Sequence, residues 1–347
     1  MNMWSLRRNF EAAAARTYVV GLVRGQFPAV DSQTIAYRLA YGSFVSLRHK
    51  ILYVETPKVA CTTIKEYLRD LCEAPPLTFP IKHHRESRRD MFVHIRSNVP
   101  LPSLLDLDEE TQRHVLTSPE FLRFGIVRNP YSRLLSAWRN KVLLCEPGYE
   151  YIYRKMTGNE PSLREKETLT FEQFLEFVES EDVATCNPHW RRQTDLLLYP
   201  AIPFTHLGKI ERLRETFELI EKHADPGKSL PARTSNSTRV GYANLTEALA
   251  VRIYKLYAAD FEAFGYNKDS WRALNESEHG NRTVPETHFV DEVIERNLVL
   301  SHLYEQYAQL QSRYRTSYRF SLTRIQDTAA ALWKAGRRLS GAIRKES

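Results

Sequence analysis

This sequence predicts an α/β fold, a parallel sheet with helices on both faces. Two strand-turn-helix units, at residues 51–72 and 122–141, carry the prediction, together with a further strand-like run near Ile202–Leu207. At 347 residues and 42% hydrophobic content, the chain can bury one large core plus accessory elements. Residues 1–47 read as helical packaging ahead of the first core strand, and residues 48–274 as the main domain. The polar stretch Asn275–Glu286, with Gly280 and Pro285, reads as part of a linker over 275–289, and residues 290–347 as a helical extension.

The first unit, ILYVETPKVACTTIK over Ile51–Lys65, is an apolar β-rich run, a turn led by Pro57, and a helix opening with Thr62, Thr63 and Lys65. Such a turn aims backbone N–H groups and the positive end of a helix dipole at one spot. Lys58 adds a point charge there, and the Thr62 and Thr63 hydroxyls add donors. The product is an anion cradle of nucleotide-phosphate size; the blander alternative is a buried strand, a capped helix and a surface lysine. The turn holds no glycine and its lysine comes early, so it departs from the glycine-rich nucleotide-triphosphate loop.

The second unit, FLRFGIVRNPYSRLLSAWRNK over Phe121–Lys141, places an apolar strand (Phe124–Val127) before Arg128-Asn129-Pro130 and a helix. Pro130 is tolerated in a first helical turn. Arg128 falls at the carboxyl end of its strand, where open α/β sheets bind ligands, and Ser136 lies two turns further on.

Together, PKVACTTIK and VRNPYSRLLSAWRNK strongly resemble the two nucleotide motifs of the carbohydrate sulfotransferase family, the group that includes chondroitin 4-O-sulfotransferases. Three more segments resemble that family in order: NPHWRRQTDLLL (Asn187–Leu198), the Gly208-Lys209-Ile210-Glu211 strand ending, and LYAADFEAFGY (Leu256–Tyr266). The resemblance spans roughly Ile51 to Trp271. It implies a P-loop-like sheet, 3′-phosphoadenosine 5′-phosphosulfate (PAPS) as co-substrate without a metal, and a carbohydrate acceptor. It implies that Lys58, Ala60, Cys61, Thr62 and Thr63 grip the 5′-phosphosulfate and that Arg128 and Ser136 grip the 3′-phosphate. One departure stands out: Asn129 occupies the place of an aspartate, removing a carboxylate that could orient a neighbouring arginine.

Sulfuryl transfer resembles phosphoryl transfer, in which positioning and charge stabilisation carry most of the catalysis. Lys58 is placed to neutralise the leaving oxygen, with the N–H groups of Ala60–Thr63 around the transferring oxygens. No Asp/Glu/His cluster of metal-ligand type is evident beside either motif. Two histidines compete as the base for the acceptor hydroxyl. His94, in DMFVHIR, resembles the histidine ahead of the second motif in several glycan sulfotransferases and is the first choice. His189, in Pro-His-Trp, resembles a position near the acceptor groove. His83 and His84 read as part of a solvated charged loop.

The net charge of +7 is local. From Arg313 onward the chain carries nine Lys and Arg against Asp327 and Glu346, which accounts for the whole excess. A basic nucleic-acid face on the main domain is therefore not expected. Ile325, Ala329, Leu332, Trp333, Leu339 and Ile343 recur at helical spacing with basic residues opposite, a pattern for packing on the body or for peripheral contact with an anionic membrane. Leu300, Leu303, Tyr307, Leu310 and Tyr314 form a short heptad-like seam, so a homodimer contact over 290–314 is a further expectation.

Four scattered cysteines (61, 72, 145, 186) read as reduced thiols. No run of eighteen apolar residues exists, and Arg16 and Arg24 interrupt the N-terminal stretch, so a bacterial-type cytoplasmic enzyme is expected. Two rival readings remain: a nucleotide kinase or NTPase, which would need a magnesium carboxylate where Asn129 stands, and a catalytically inactive membrane-associated adaptor.

Overall fold

The computed structural model describes residues 17–75, 94, 96–159, 168–225, 227 and 244–280, with positions 293, 294, 297, 298 and 300. The chain divides into two compact units, residues 1–143 with 169–285, and residues 144–168 with 286–347.

The first unit holds the sheet. Strands β1 (Ser43–Ser46), β2 (Ile51–Val54), β3 (Leu122–Val127) and β4 (His206–Lys209) lie side by side in that order. β2, β3 and β4 are parallel, as the two strand-turn-helix units require. β1 was not anticipated: it pairs antiparallel with β2 through a tight turn at residues 47–50, giving a mixed sheet. The third parallel strand begins at His206, at the downstream end of the run expected near Ile202–Leu207.

Every residue of β2 and β3 is buried, which explains why both read as unbroken apolar runs rather than as alternating ones. The side chains divide between two cores. Leu52, Val54 and Val127 join Val19, Val23, Ile35, Leu39, Val115 and Leu116 from α1 (Tyr18–Gln26), α2 (Ser32–Gly42) and α4 (Glu109–Thr117). Ile51, Tyr53, Phe124 and Ile126 join Ile64, Tyr67, Leu68, Phe217 and Ile220 from α3 (Cys61–Leu71) and α9 (Leu213–Ala224). Helices thus cover both faces, and each fully buried Leu, Ile or Phe contributes about 1.5–3 kcal/mol. Gly125 is required by packing: a Cβ there would lie 2.8 Å from Leu197 Cδ2.

The remaining helices of this unit are α5 (Pro130–Ala137), α7 (Phe171–Glu179), α8 (Gln193–Leu197), α10 (Glu247–Phe264) and α11 (Trp271–Gly280). α11 continues to Gly280, so the polar stretch from Asn275 opens as helix. Beyond α5 the chain widens into a π-helical segment, Trp138–Leu143. In the second unit, α6 (Glu150–Thr157) ends at left-handed Gly158, and Asn297 Nδ2 donates to Leu144 O at 2.7 Å. The loop with His83 and His84, nearly all of the 290–314 seam and the whole basic tail lie outside the described residues. Among the described residues, no helix is long and apolar enough to cross a membrane.

Candidate active site

The carboxyl ends of β2, β3 and β4 lie side by side because the three strands are parallel. They deliver the segments Glu55–Ala60, Arg128–Pro130 and Ile210–Glu211 to one edge of the sheet.

The turn after β2 alternates handedness without glycine. Lys58 (φ 71°) and Ala60 (φ 61°) are left-handed, and Ala60 caps α3. Each such residue costs about 1–2 kcal/mol against its right-handed form, and strain of this kind persists where surrounding bonds over-determine it. Here they do. Arg128 Nη1 donates to Lys58 O at 3.3 Å, and Arg133 Nε donates to Pro57 O at 3.2 Å. Successive N–H groups turned this way form an anion-binding concavity at the start of α3. The buried Thr63 Oγ1 has no hydrogen-bond partner among the described residues. An unsatisfied hydroxyl at a helix N-terminus is the type of orphan that a ligand oxygen satisfies. Cys61 is buried and its thiol is pushed up by that burial, which disfavours the nucleophilic thiolate.

At the second motif, Arg128 and Ser132 stand four residues apart, with Ser136 four further along the same face of α5. Arg128 Nε donates to Ser132 Oγ at 2.9 Å. Burial, opposed by Glu211 and reinforced by Arg139 and Arg133, brings the Arg128 guanidinium down to about 10, so it remains charged at neutral pH. Asn129 caps α5 by accepting from Tyr131 N–H at 3.0 Å, while its Nδ2 donates to Ser270 Oγ at 2.7 Å. The carboxylate missing at 129 is made up from the segment after β4: Glu211 Oε1 accepts the Asn129 N–H at 2.9 Å and faces Arg128.

The other three resembling segments turn out to brace this turn. Gln193 pairs with both backbone groups of Arg128, its Oε1 accepting at 2.9 Å and its Nε2 donating at 2.8 Å. Asp260, fully buried in α10, accepts from the N–H groups of Gln193 and Thr194 at 2.8 and 2.9 Å. Tyr257 OH donates to Trp190 O, and Tyr266 OH donates to Glu211 Oε2 at 2.9 Å. Gly208 is needed because a Cβ would collide with the buried Thr216 side chain.

His94 joins the first motif. Its Nε2 lies 3.1 Å from Thr62 Oγ1, its Nδ1 lies 3.1 Å from Lys65 Nζ, and Lys65 forms a 2.7 Å ion pair with Glu55. His94 Nδ1 also stands 3.7 Å from Glu55 Oε1, so the imidazole is held between the ammonium and the carboxylate. Burial would raise the Glu55 carboxyl, but Lys65 and His94 override it and hold it at about 2. Sequence reading anticipated no cluster of metal-ligand type here, yet Glu55, Cys61 and His94 bring potential ligand atoms within 4.8 Å of one another. The sequence concealed it because Glu55 and His94 come from separate segments. The cation among these groups is the Lys65 ammonium.

His189 sits differently. Asn187 Oδ1 lies 2.9 Å from its Nδ1 and also accepts the His189 N–H at 3.1 Å. The Nδ1–H tautomer follows, leaving the lone pair on Nε2. Burial, then Lys141, Lys58, Arg133 and His94, depress this imidazole well below its ordinary value. Lys58 and His189 therefore share one electropositive region with Lys141 from the π-helical segment. Glu55, Lys65, Arg133, Asn187 and Lys141 escaped sequence reading as site residues. The only available signal was the spacing of Thr62 and Lys65 on one helical face.

A mostly parallel sheet with a lysine turn and an arginine–serine helix at its carboxyl edge defines a P-loop-like α/β protein. The chain matches the Sulfotransferase family over residues 41–267 and belongs to it. It is 29% identical to mouse (Mus musculus) carbohydrate sulfotransferase 12 over 254 residues, covering 64% of this chain and 59% of that protein. It is 28% identical to human (Homo sapiens) carbohydrate sulfotransferase 14 over 236 residues, with the same coverages. Zebrafish (Danio rerio) carbohydrate sulfotransferase 11 is 25% identical over 246 residues, covering 65% of this chain and 67% of that protein. The chain thus spans 59% of the length of the first two relatives. No solved structure matches it significantly.

Proposed function

We propose that the protein transfers the sulfuryl group of PAPS to a hydroxyl of a carbohydrate acceptor. The observation that carries this reading is the meeting, within a Sulfotransferase-family domain, of the strained Lys58 turn and the Arg128–Ser136 face at one sheet edge. The orphaned Thr63 hydroxyl and the left-handed cradle fit a phosphosulfate. Bound there, PAPS supplies a sulfuryl group whose bond to the bridging phosphate oxygen breaks as the acceptor oxygen attacks sulfur.

In this reading the N–H groups of Ala60–Thr63 hold the anionic oxygens. Lys58 neutralises the charge that collects on the bridging oxygen, and Arg128 with Ser136 takes the 3′-phosphate. The proton of the acceptor hydroxyl goes to His189 Nε2. Asn187 fixes the tautomer, and burial, reinforced by the surrounding cations, keeps the ring neutral. His94, the first choice on sequence grounds, is engaged by Thr62, Lys65 and Glu55, which suits it to holding the first turn of α3.

The decisive experiment is a thermal-shift titration with 3′-phosphoadenosine 5′-phosphate against ATP plus magnesium, followed by transfer of radiolabelled sulfate from PAPS to a panel of unsulfated polysaccharides. A rise in Tm specific to the bisphosphate, with label appearing on a polysaccharide, is expected. Stabilisation by ATP plus magnesium alone would turn the assignment toward a nucleotide kinase.

A further inference from the structure

We infer that Arg133 is a positioning residue for the transfer reaction, a single buried guanidinium that sets the backbone of Lys58 and the backbone of His189 relative to each other. Its Nε donates to Pro57 O at 3.2 Å, its Nη2 to Pro188 O at 2.8 Å and its Nη1 to Arg191 O at 2.7 Å. Pro57 immediately precedes Lys58, and Pro188 immediately precedes His189. The carbonyls just ahead of the two reacting side chains thus meet on one planar group, which is 2% exposed. The group is carried by α5, the helix that also presents Ser132 and Ser136.

A guanidinium suits this task because its donors form a rigid planar fork, whereas an ammonium offers three donors on a flexible stem. The two loops it ties differ in kind. One is the left-handed turn at 57–60. The other is the Asn187–Trp190 turn, whose register fixes where His189 Nε2 points. Displacing either by about 1 Å is enough to cost on the order of 10²-fold in turnover, because reacting atoms must approach in line. Arg133 also adds to the positive field around His189. It touches neither donor nor acceptor in this reading, and it rests on the sulfuryl-transfer assignment made above.

The molecule contains its own control. Arg123, 7% exposed at the start of β3, donates to three carbonyls, Pro203 O at 2.7 Å, Ser118 O at 2.6 Å and Val115 O at 3.4 Å. It makes the same kind of clamp at the opposite end of the strand from Arg128. If Arg133 serves the reaction, Arg133→Lys lowers kcat at least 30-fold while the Kd for 3′-phosphoadenosine 5′-phosphate moves less than threefold. Arg123→Lys should lose comparable Tm with kcat within threefold of wild type. Arg133→Gln, which removes the charge as well, should in addition shift the acid limb of the kcat/KM profile to higher pH. Arg133→Lys should leave that limb in place.

The proposal is overturned if Arg133→Lys keeps kcat within threefold, or if Arg123→Lys lowers kcat as far as Arg133→Lys does. Should Arg133→Lys not fold, Arg133→Gln decides by the same kcat and Kd readings. If neither folds while Arg123→Lys does, Arg133 is a folding residue and the proposal fails. A wild-type protein that binds no bisphosphate and transfers no sulfate removes the sulfuryl-transfer reading itself, and this inference with it. With wild-type transfer present, the variants test the clamp alone.

Discussion

Two lysines of the first motif look interchangeable in sequence, but their surroundings separate them. Lys65 is 1% exposed and ion-paired to Glu55 at 2.7 Å, so its charge is committed to the interior. Lys58 stands in the left-handed turn at the sheet edge, with its carbonyl and the one before it held by Arg128 and Arg133. Lys58→Ala should therefore lower kcat by about 10²–10³-fold, the usual loss when one stabilising group is removed from a developing oxyanion. Its Tm should stay near wild type, and near-normal turnover with PAPS would remove Lys58 from the leaving-group role. The histidines separate too. Because burial and neighbouring cations hold His189 of the unliganded enzyme well below the usual imidazole value, it is neutral through neutral pH. An anionic donor bound among those cations pushes that value back up. The acid limb of kcat, which reports the complex, should thus lie at higher pH than the acid limb of kcat/KM, which reports the free enzyme. His189→Ala should abolish both limbs, whereas loss of the limb in His94→Ala alone would return the base to His94.

At the scale of elements, the site is built on the turn between β3 and α5, and the five sequence segments have unequal parts in it. The two segments that resemble nucleotide motifs stood out because their proposed chemistry is written in side chains: a lysine, two threonines, an arginine and a serine at fixed offsets from a strand. The bracing segments were legible only as resemblance. Nothing in the string NPHWRRQ announces that Gln193 will pair with both backbone groups of Arg128, or that Asp260 will cap the helix Gln193 begins. Arg133 was illegible for a plainer reason, since all its described hydrogen bonds run to carbonyls, which every residue carries. The π-helical widening at Trp138–Leu143 was hidden as well, because WRNKVL has ordinary helical propensity; π-helical turns of this kind are frequent at functional sites. The α5 face yields its own prediction. Arg128→Ala should weaken 3′-phosphoadenosine 5′-phosphate by about 1.5–3 kcal/mol. Ser136→Ala should weaken adenosine 5′-phosphosulfate, which lacks the 3′-phosphate, much less, and Arg128→Ala, which also releases Lys58 O, should still weaken it less than the bisphosphate. Equal loss for both ligands in calorimetry would place the 3′-phosphate away from this face.

For the whole molecule, the consequential feature is a buried charge pair that ties the first motif to the fold. Glu55 is 5% exposed just after β2, and Lys65 lies one turn into α3. Breaking such a pair from one side leaves an uncompensated charge in the interior, so Glu55→Gln should cost about 3–5 kcal/mol in denaturant unfolding. Replacing both partners, as in Glu55→Gln with Lys65→Met, should recover most of that loss, because the desolvation penalty of both ions disappears together. The pair also predicts a pH dependence. The Glu55 carboxyl is held near 2 in the folded chain, below its ordinary value of 4.5. Its contribution is therefore fully present above pH 4.5 and is lost as pH falls from there toward 2. Wild-type stability should decline through that window more steeply than the double variant's, falling below it at the acid end, where protonated Glu55 leaves the Lys65 ammonium as unpaired as Glu55→Gln does. Parallel curves from pH 6 to pH 2 would show that the carboxylate is not held ionised by Lys65, and that the first motif is anchored by apolar packing alone.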